Sequence, residues 1–319
     1  MTVPEETTGG TMQAPINPPV RTALISAQGH FGMGCGCCVR ADRTDSFLDP
    51  ATYALALSQL KETGVEEVCL SGGEPVHHPQ IIQLIRQTRQ LRMPVSMTTS
   101  ARTVSEVITL SKAAPLLAQV TVCADSQGAG RLRGTTRTAE AAISTLRVIR
   151  ADVKILHVTC WEMTDDECAV LASLASEAKL EVQFSPGAPG EHALPDEGMP
   201  LQGSVAQQEL DATLLDRYFT LPGRYRAHLR ALRDLRRPRT GDGRWPCRSA
   251  SAYVSADGSI QRCPHGQTSV TVHAPPAAIR QFLAASAQDH ATPDCASLCH
   301  LCAPPLCHAG VGAAGYGRG

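Results

Sequence analysis

The segment Glu67-Val68-Cys69-Leu70-Ser71-Gly72-Gly73-Glu74-Pro75-Val76-His77-His78-Pro79 carries three signals in succession. Glu67–Leu70 is a short apolar run that suits a buried strand. Two glycines then allow close approach of backbone to a ligand, and a carboxylate stands beside them. Beyond Pro79, Ile81, Ile82, Leu84, Ile85 and Leu91 recur at helical spacing. The unit is strand, loop, helix, and it repeats outward in both directions. Upstream, Thr22–Ala27 is a short apolar run, and Asp49-Pro50 offers an N-cap followed by proline at the first helical position. Tyr53, Leu57 and Leu60 continue that helix and Gly64 ends it. Downstream, strands are expected at Val95–Thr98, Gln119–Cys123, Val153–Thr159 and Glu181–Phe184. The helices between them are marked by Val104, Val107, Ile108 and Leu110, by Ala139–Ile149 and by Cys168–Ala178. Such βα steps demand parallel strands with right-handed crossovers. An open doubly wound sheet and a partial barrel both satisfy this α/β pattern, and both place functional loops at the C-terminal ends of the strands.

The chain has 319 residues, room for about two domains or one barrel with an appendage. A hydrophobic content of 43% with 18% charge excludes a disordered chain. The 29 Lys plus Arg against 30 Asp plus Glu give no general reason to expect nucleic acid or an anionic membrane. The apolar runs are too short to span a bilayer, and the start of the chain is unlike an export signal, so a cytoplasmic protein is expected. In a reducing compartment, 13 cysteines point to metal or cluster ligation before disulfides. Cys69, Cys123, Cys160 and Cys168 lie in apolar segments and are expected as small core residues. Ser185–Ser204, rich in Pro and Gly, is expected as a long loop, and Leu210–Arg237 as an arginine-rich helical stretch broken at Leu221-Pro222-Gly223. Arginines 217–248 are expected as a solvated face, with a phosphate- or carboxylate-holding barrel mouth as the sharper alternative. The expected organisation is a flexible arm (1–20), a βα region (21–205), a helical connector (206–244), a Cys-rich region (245–307) and a flexible tail (308–319).

The loop after the first strand reads Gln28-Gly29-His30-Phe31-Gly32-Met33-Gly34-Cys35-Gly36-Cys37-Cys38. Cysteines at a strand end within a Gly-rich loop can hold an iron–sulfur cluster. A lone Gly-Gly-Glu would be an ordinary βα turn with a solvated carboxylate, but here both loops fall on one rim. Together they resemble the radical S-adenosylmethionine (SAM) superfamily. There a three-cysteine loop holds a 4Fe–4S cluster, and a Gly-Gly-Glu-Pro segment binds the methionyl amine of SAM. Val95-Ser96-Met97-Thr98-Thr99-Ser100-Ala101 is similar to that family's Thr-Asn-Gly strand end, with Ser100 and Ala101 in place of Asn and Gly. Val120–Ser126 followed by Arg131-Leu132-Arg133-Gly134 is similar to its Ser-x-Asp segment and Leu-Arg-Gly turn, with Cys123 in place of Ser. The resemblance implies a partial (β/α)6 TIM-type barrel. It implies Cys35, Cys37 and Cys38 as cluster ligands and catalytic centre. It further implies Gly72, Gly73, Glu74, Pro75, Ser100, Asp125 and Arg133 as SAM-binding positions. The family's spacing is Cys-x-x-x-Cys-x-x-Cys, and here its first position falls on Phe31. Three explanations stay open: Cys37 as third thiolate, His30 as an imidazole ligand, or a site that has lost its cluster. His77 and His78 are expected in supporting or surface positions.

In the Cys-rich region, Tyr253–Ile260 is expected as a hairpin with an Asp257-Gly258 turn that brings Cys247 and Cys263 together. Cys295, Cys299, Cys302 and Cys307 follow. Such thiolates suit zinc or iron–sulfur clusters. The Cys-x10-Gly-x4-Cys spacing is similar to the SPASM and twitch extensions of radical SAM enzymes. That implies one or two auxiliary 4Fe–4S clusters on these six cysteines. The plainer reading is a zinc site that only folds the tail.

The resemblance therefore implies an enzyme that cleaves SAM reductively and modifies a small metabolite or a peptide, served by an electron donor such as flavodoxin or ferredoxin. Few residues precede the first strand, which favours the small metabolite. Two rivals are an aminocarboxypropyl-transferring variant and a cluster-less, non-catalytic relative with a metal-stabilised tail.

Overall fold

The computed structural model describes residues 20–29, 46–133, 137–186, 201–221, 251–262 and 268–285. Six strands alternate with helices in the first two thirds of the chain: β1 (Thr22–Gln28), β2 (Glu67–Gly72), β3 (Val95–Thr99), β4 (Gln119–Asp125), β5 (Val153–Cys160) and β6 (Glu181–Pro186). The helices are α1 (Pro50–Glu62), α2 (Ile81–Gln90), α3 (Val104–Ala113), α4 (Gln127–Arg133), α5 (Ala139–Val148), α6 (Asp165–Glu177) and α7 (Leu201–Leu215). A hairpin segment adds β7 (Ser251–Val254), β8 (Ser259–Gln261), β9 (Val270–Thr271) and α8 (Pro276–Ala284).

The sheet order is β6-β5-β4-β3-β2-β1-β7-β8-β9. Each of β1 to β6 pairs parallel with its chain neighbour. This order decides between the two architectures. Right-handed crossovers that always step in the same direction put every helix on one face of the sheet. A doubly wound sheet instead reverses its strand order at a switch point. The chain is an open, mixed sheet of the partial (β/α) barrel type.

Local chemistry explains where the elements start. Asp49 caps α1, its carboxylate accepting from the N–H groups of Ala51 (2.9 Å) and Thr52 (3.0 Å), with Pro50 at the first helical position. Thr103 and Glu106 form a reciprocal capping box at the start of α3. Thr138 and Thr164 cap α5 and α6. The main core lies between sheet and helices. Ile25, Leu70, Met97, Val122 and Leu156 meet Leu57, Leu84, Leu110 and Leu146 there, all fully or nearly fully buried.

Three features differ from expectation. Residues 131–133, expected as a turn, end the short helix α4. Ser185 and Pro186 extend β6, and α7 begins at Leu201 rather than Leu210, so the expected loop is shorter at both ends. The expected hairpin forms, with Tyr253 opposite Gln261 and Val254 opposite Ile260. However, β7 also pairs parallel with β1, so the hairpin continues the barrel sheet. Gly258, at φ +83°, closes its turn, and a Cβ there would stand 2.8 Å from the Thr52 methyl of α1.

His78 gives the fold a pH signature. Its Nε2–H donates to the Leu48 carbonyl (2.9 Å) and its Nδ1 accepts from the Gln80 N–H (3.0 Å), so the neutral ring satisfies both contacts. Burial pulls its pKa below the ordinary value, against smaller upward pushes from the Leu48 carbonyl and Asp49. The unfolded chain therefore takes up this proton at higher pH than the folded one. This contribution to stability is complete above the ordinary imidazole pKa of about 6.5 and declines as pH falls below it. Urea midpoints measured from neutral to mildly acid pH are expected to fall, with a shallower fall in His78→Gln. Equal slopes in the two proteins would contradict this assignment.

Candidate active site

The C-terminal rim of the sheet is built outward from Gly72. Its φ is +108°, and a Cβ there would lie 2.4 Å from the Gln28 carbonyl oxygen and 2.5 Å from Ser26 Oγ. This closeness lets the Gly73 N–H donate to the Gln28 carbonyl at 2.7 Å, tying the end of β2 to the end of β1. Glu74 follows and is 1% exposed. Its Oε2 accepts from the Ser100 N–H (2.8 Å) and the Ser100 hydroxyl (2.6 Å). Its Oε1 accepts from the Thr99 hydroxyl and from the Val76 N–H (3.4 Å), capping the single turn Pro75–His77. A carboxylate offers about four acceptor positions. Glu74 thus fastens the loop after β2 to the end of β3.

A second tie runs parallel to the first. His77 Nε2 meets Glu106 Oε1 at 2.6 Å, and Glu106 Oε2 accepts from the N–H groups of Arg102 and Thr103. Burial alone would raise the Glu106 pKa, but the Thr103 N–H, His77 and the Arg102 N–H outweigh it and lower the carboxyl overall. Between the two ties lies Ala101, fully buried with φ +39°. A side chain in the left-handed region costs about 1–2 kcal/mol. The Ala101 carbonyl accepts from Arg137 Nη1 at 2.6 Å, and a hydrogen bond to a charged donor contributes about 1.5–3 kcal/mol.

The two faces of the sheet have opposite chemistry. Val120, Val122 and Ala124 of β4 and Leu156, Val158 and Cys160 of β5 join the helix-covered core. Side chains alternate along a strand, so Thr121, Cys123 and Asp125, and His157 and Thr159, lie on the other, concave face. Ser26, Ser71 and Ser185 share it. At its base Leu24, Cys69 and Tyr253 form a small separate apolar cluster. Above that plug the face is polar. Layers of Val, Ile and Leu fill a closed barrel; here hydroxyl, thiol, imidazole and carboxylate groups line the wall. Cys123 lies opposite His157, and Asp125 opposite Thr159, in the β4–β5 register. His157 Nε2 and Ser185 Oγ are 2.6 Å apart.

Of the four cysteines expected in the core, Cys69, Cys160 and Cys168 are buried and Cys123 is not. Burial, reinforced by Asp211 and other acidic neighbours, raises Cys160 well above the usual thiol range. Burial and Glu167 push Cys168 up to about 12. Cys123 lies on the concave face like Cys69, but outside the apolar cluster of Leu24, Cys69 and Tyr253, and is intermediate in exposure. Sequence reading missed Cys123, His157, Ser185 and Arg137. The alternation Thr121-Val122-Cys123-Ala124-Asp125 is the signal that pointed to the first of them.

The structure brings Gly72, Gly73, Glu74, Pro75 and Ser100 together on one rim, with Asp125 at the end of β4, two strands beyond β2. The main chain of Arg133 ends α4; its side chain lies outside the described residues. Also outside them are Cys35, Cys37, Cys38 and His30, the auxiliary set Cys247, Cys263, Cys295, Cys299, Cys302 and Cys307, the arm, the tail and arginines 224–248. Among the described residues no three His, Cys, Asp or Glu side chains gather as a metal site, and no helix is long and apolar enough to cross a membrane. The chemistry of the rim suits an amino-acid head group: Gly73 presents no side chain at the strand end, and an acceptor carboxylate stands beside a hydroxyl that can turn. Fit to a cluster turns on cysteines outside the described residues.

No protein-family model matches the chain. Over 87 residues it is 31% identical to the PqqA peptide cyclase of Gluconobacter oxydans (strain 621H), covering 26% of this chain and 24% of that protein. SuiB of Streptococcus suis, in its structure with the precursor peptide SuiA, matches 83% of this chain with a TM-score of 0.58 and 17% identity. The SuiB structure bound to SAM gives a TM-score of 0.54 over 80% of this chain at 16% identity. The structure of anSMEcpe with bound AdoMet and a peptide gives 0.50 over 79% at 14% identity. The chain spans 65% of SuiB in the first of these matches and 75% of anSMEcpe. What is shared at these identities is the fold, the partial (β/α) barrel.

Proposed function

We propose that this chain is a radical SAM enzyme acting on a small metabolite or a peptide, with SAM held on the rim at the ends of β1 to β4. The observation that carries this reading is Glu74, buried at the end of β2 and bonded to Ser100 at the end of β3. That is where the family-like motif calls for an ammonium acceptor. SuiB and anSMEcpe, which share the fold, have structures with SAM or AdoMet bound.

Each residue has a task in this reading. Gly72 lets β2 close onto β1, and Gly73, without a side chain, leaves the backbone open to the methionyl group. Glu74 accepts from its ammonium once the Ser100 hydroxyl turns away, a rotation about one bond. Asp125 and Arg133 supply further polar contacts. Cys35 and Cys38, with Cys37 or His30, hold a 4Fe–4S cluster, and the six later cysteines hold one or two auxiliary clusters. A reduced cluster, when bound, supplies the electron that cleaves the sulfonium of SAM. The concave wall holds substrate and excludes water. A peptide substrate gains support from the peptides bound in two of the matched structures. A flavodoxin- or ferredoxin-type protein is the proposed electron donor.

Glu74→Gln tests the reading. Ser100 N–H must still meet the remaining oxygen, so the amide NH2 falls on the Thr99 side, where a hydroxyl can rotate to accept. The fold survives and the charge is lost. SAM affinity, measured by calorimetry on the anaerobically reconstituted chain, is expected to fall about tenfold, or ~1.4 kcal/mol, with iron content unchanged. Chromatography of the cleaved SAM then identifies the broken bond: 5′-deoxyadenosine indicates the radical route and methylthioadenosine aminocarboxypropyl transfer. Absence of SAM binding to iron-loaded wild type would leave the non-catalytic relative.

A further inference from the structure

Arg137 is 5% exposed, and among the described residues its guanidinium bonds only to neutral oxygens. Nη1 donates to the Ala101 carbonyl at 2.6 Å. Nη2 donates to Thr145 Oγ1 at 2.7 Å and, at 3.4 Å, to the Ala141 carbonyl, both on α5. Its own carbonyl accepts from the Asp125 N–H at 2.9 Å. One residue therefore joins the turn after β3, the end of β4 and the body of α5. An apolar side chain would fill the same space without carrying a charge out of water, so packing alone does not call for arginine.

What the charge acts on is the Ala101 turn. Ala101 adopts φ +39°, where a side chain is strained, and immediately precedes the chain that Glu106 caps. Ser100, directly before it, gives both its N–H and its hydroxyl to Glu74. If the turn relaxes, Ser100 moves and Glu74 Oε2 loses both of its donors.

We infer that Arg137 is a positioning residue of the SAM-binding rim: it locks the left-handed Ala101 turn against α5 and so fixes Ser100 and Glu74 for the methionyl ammonium. This inference rests on the proposed SAM site. It makes Ala101 and Arg137 a coupled pair, in which arginine restrains a turn that glycine would adopt without strain.

The test titrates SAM by calorimetry into the full, anaerobically reconstituted chain, with iron content and urea midpoint recorded for each variant. Arg137→Gln is expected to weaken SAM about tenfold or more at unchanged iron content. Ala101→Gly alone is expected to stay within about twofold of wild type, and the double variant to recover to within about threefold. Recovery separates positioning from plain structural damage, because glycine restores the turn without restoring any Arg137 contact. Arg137→Lys replaces Arg137→Gln in the cycle if the latter shows no cooperative unfolding transition. Unchanged SAM affinity in the arginine variant, or a loss the double variant does not recover, overturns the inference alone. A wild type that binds iron but no SAM overturns the proposed site and the inference with it.

Discussion

Changing Cys35, Cys37 and Cys38 together to Ala is expected to remove about four irons per chain from the reconstituted protein, one cubane's worth, and to abolish reductive cleavage of SAM. Three thiols within four residues stand among Gly32, Gly34 and Gly36, and glycine makes available the backbone angles that three ligands to one cluster would require. The loop starts directly after the Gly73–Gln28 tie, so it springs from the rim that carries Glu74. Single variants identify the third ligand. Equal iron loss in Cys35→Ala and Cys37→Ala assigns it to Cys37, whereas loss in His30→Ala with none in Cys37→Ala assigns it to the imidazole. The triple variant also isolates the later cysteines. Cubane absorption and an EPR signal on reduction should persist in it if Cys247, Cys263 and the Cys295–Cys307 group hold an auxiliary cluster. Retention of zinc alone would make that region structural, and unchanged iron in the triple variant would end the first-loop assignment.

Gly72→Ala is expected to cost the rim a large part of its stability. The new methyl would stand 2.4 Å from the Gln28 carbonyl oxygen, 2.5 Å from Ser26 Oγ and 3.0 Å from Ser26 Cα, and two of these three atoms are backbone. The residue would also keep φ +108°, outside the range of an ordinary side chain. Left-handed strain of about 1–2 kcal/mol and overpacking of about 1–3 kcal/mol together predict a loss on the order of 2–5 kcal/mol. Relief requires β1 and β2 to part at the rim, breaking the 2.7 Å Gly73–Gln28 hydrogen bond and displacing the start of the cysteine loop. Urea unfolding should therefore shift, and iron loading should fall with it. A change in stability below about 0.5 kcal/mol would show that the strands separate freely there.

Much of the site was legible because its residues are contiguous. Gly72, Gly73, Glu74 and Pro75 sit in one segment, and the strand end carrying Ser100 follows one βα step later. The supporting residues were not legible. Glu106 reads as an ordinary capping box for α3, and only the fold turns its carboxylate toward His77. Arg137 belongs to no motif of the sequence, and its burial depends on α5 closing over the Ala101 turn. Cys123 sits in an apolar run like the three buried cysteines, but it shares the concave face with Cys69 and stands beyond the apolar cluster that buries Cys69, whereas Cys160 faces the helix-covered core and Cys168 lies on α6.

By itself the amino-acid sequence determined the strand–helix alternation, the Asp49-Pro50 start of α1, the hairpin turn at Asp257-Gly258 and the placing of two motif loops at successive strand ends. These depend on local periodicity, capping and turn chemistry, which act within a few residues. Parallel steps of equal length serve a doubly wound sheet equally well; the motif resemblance implied the barrel, and the tertiary structure bears it out in strands that wind in one direction. Tertiary structure alone decided that β7 continues the sheet beside β1, a pairing across more than two hundred residues of chain. It also decided which face of each strand is core. Helices covering one side send Val122 and Leu156 inward, and Cys123, Asp125, His157 and Thr159 lie on the opposite, concave side. Alternation marks two faces on every strand, and only the packing of distant helices says which of them stays polar.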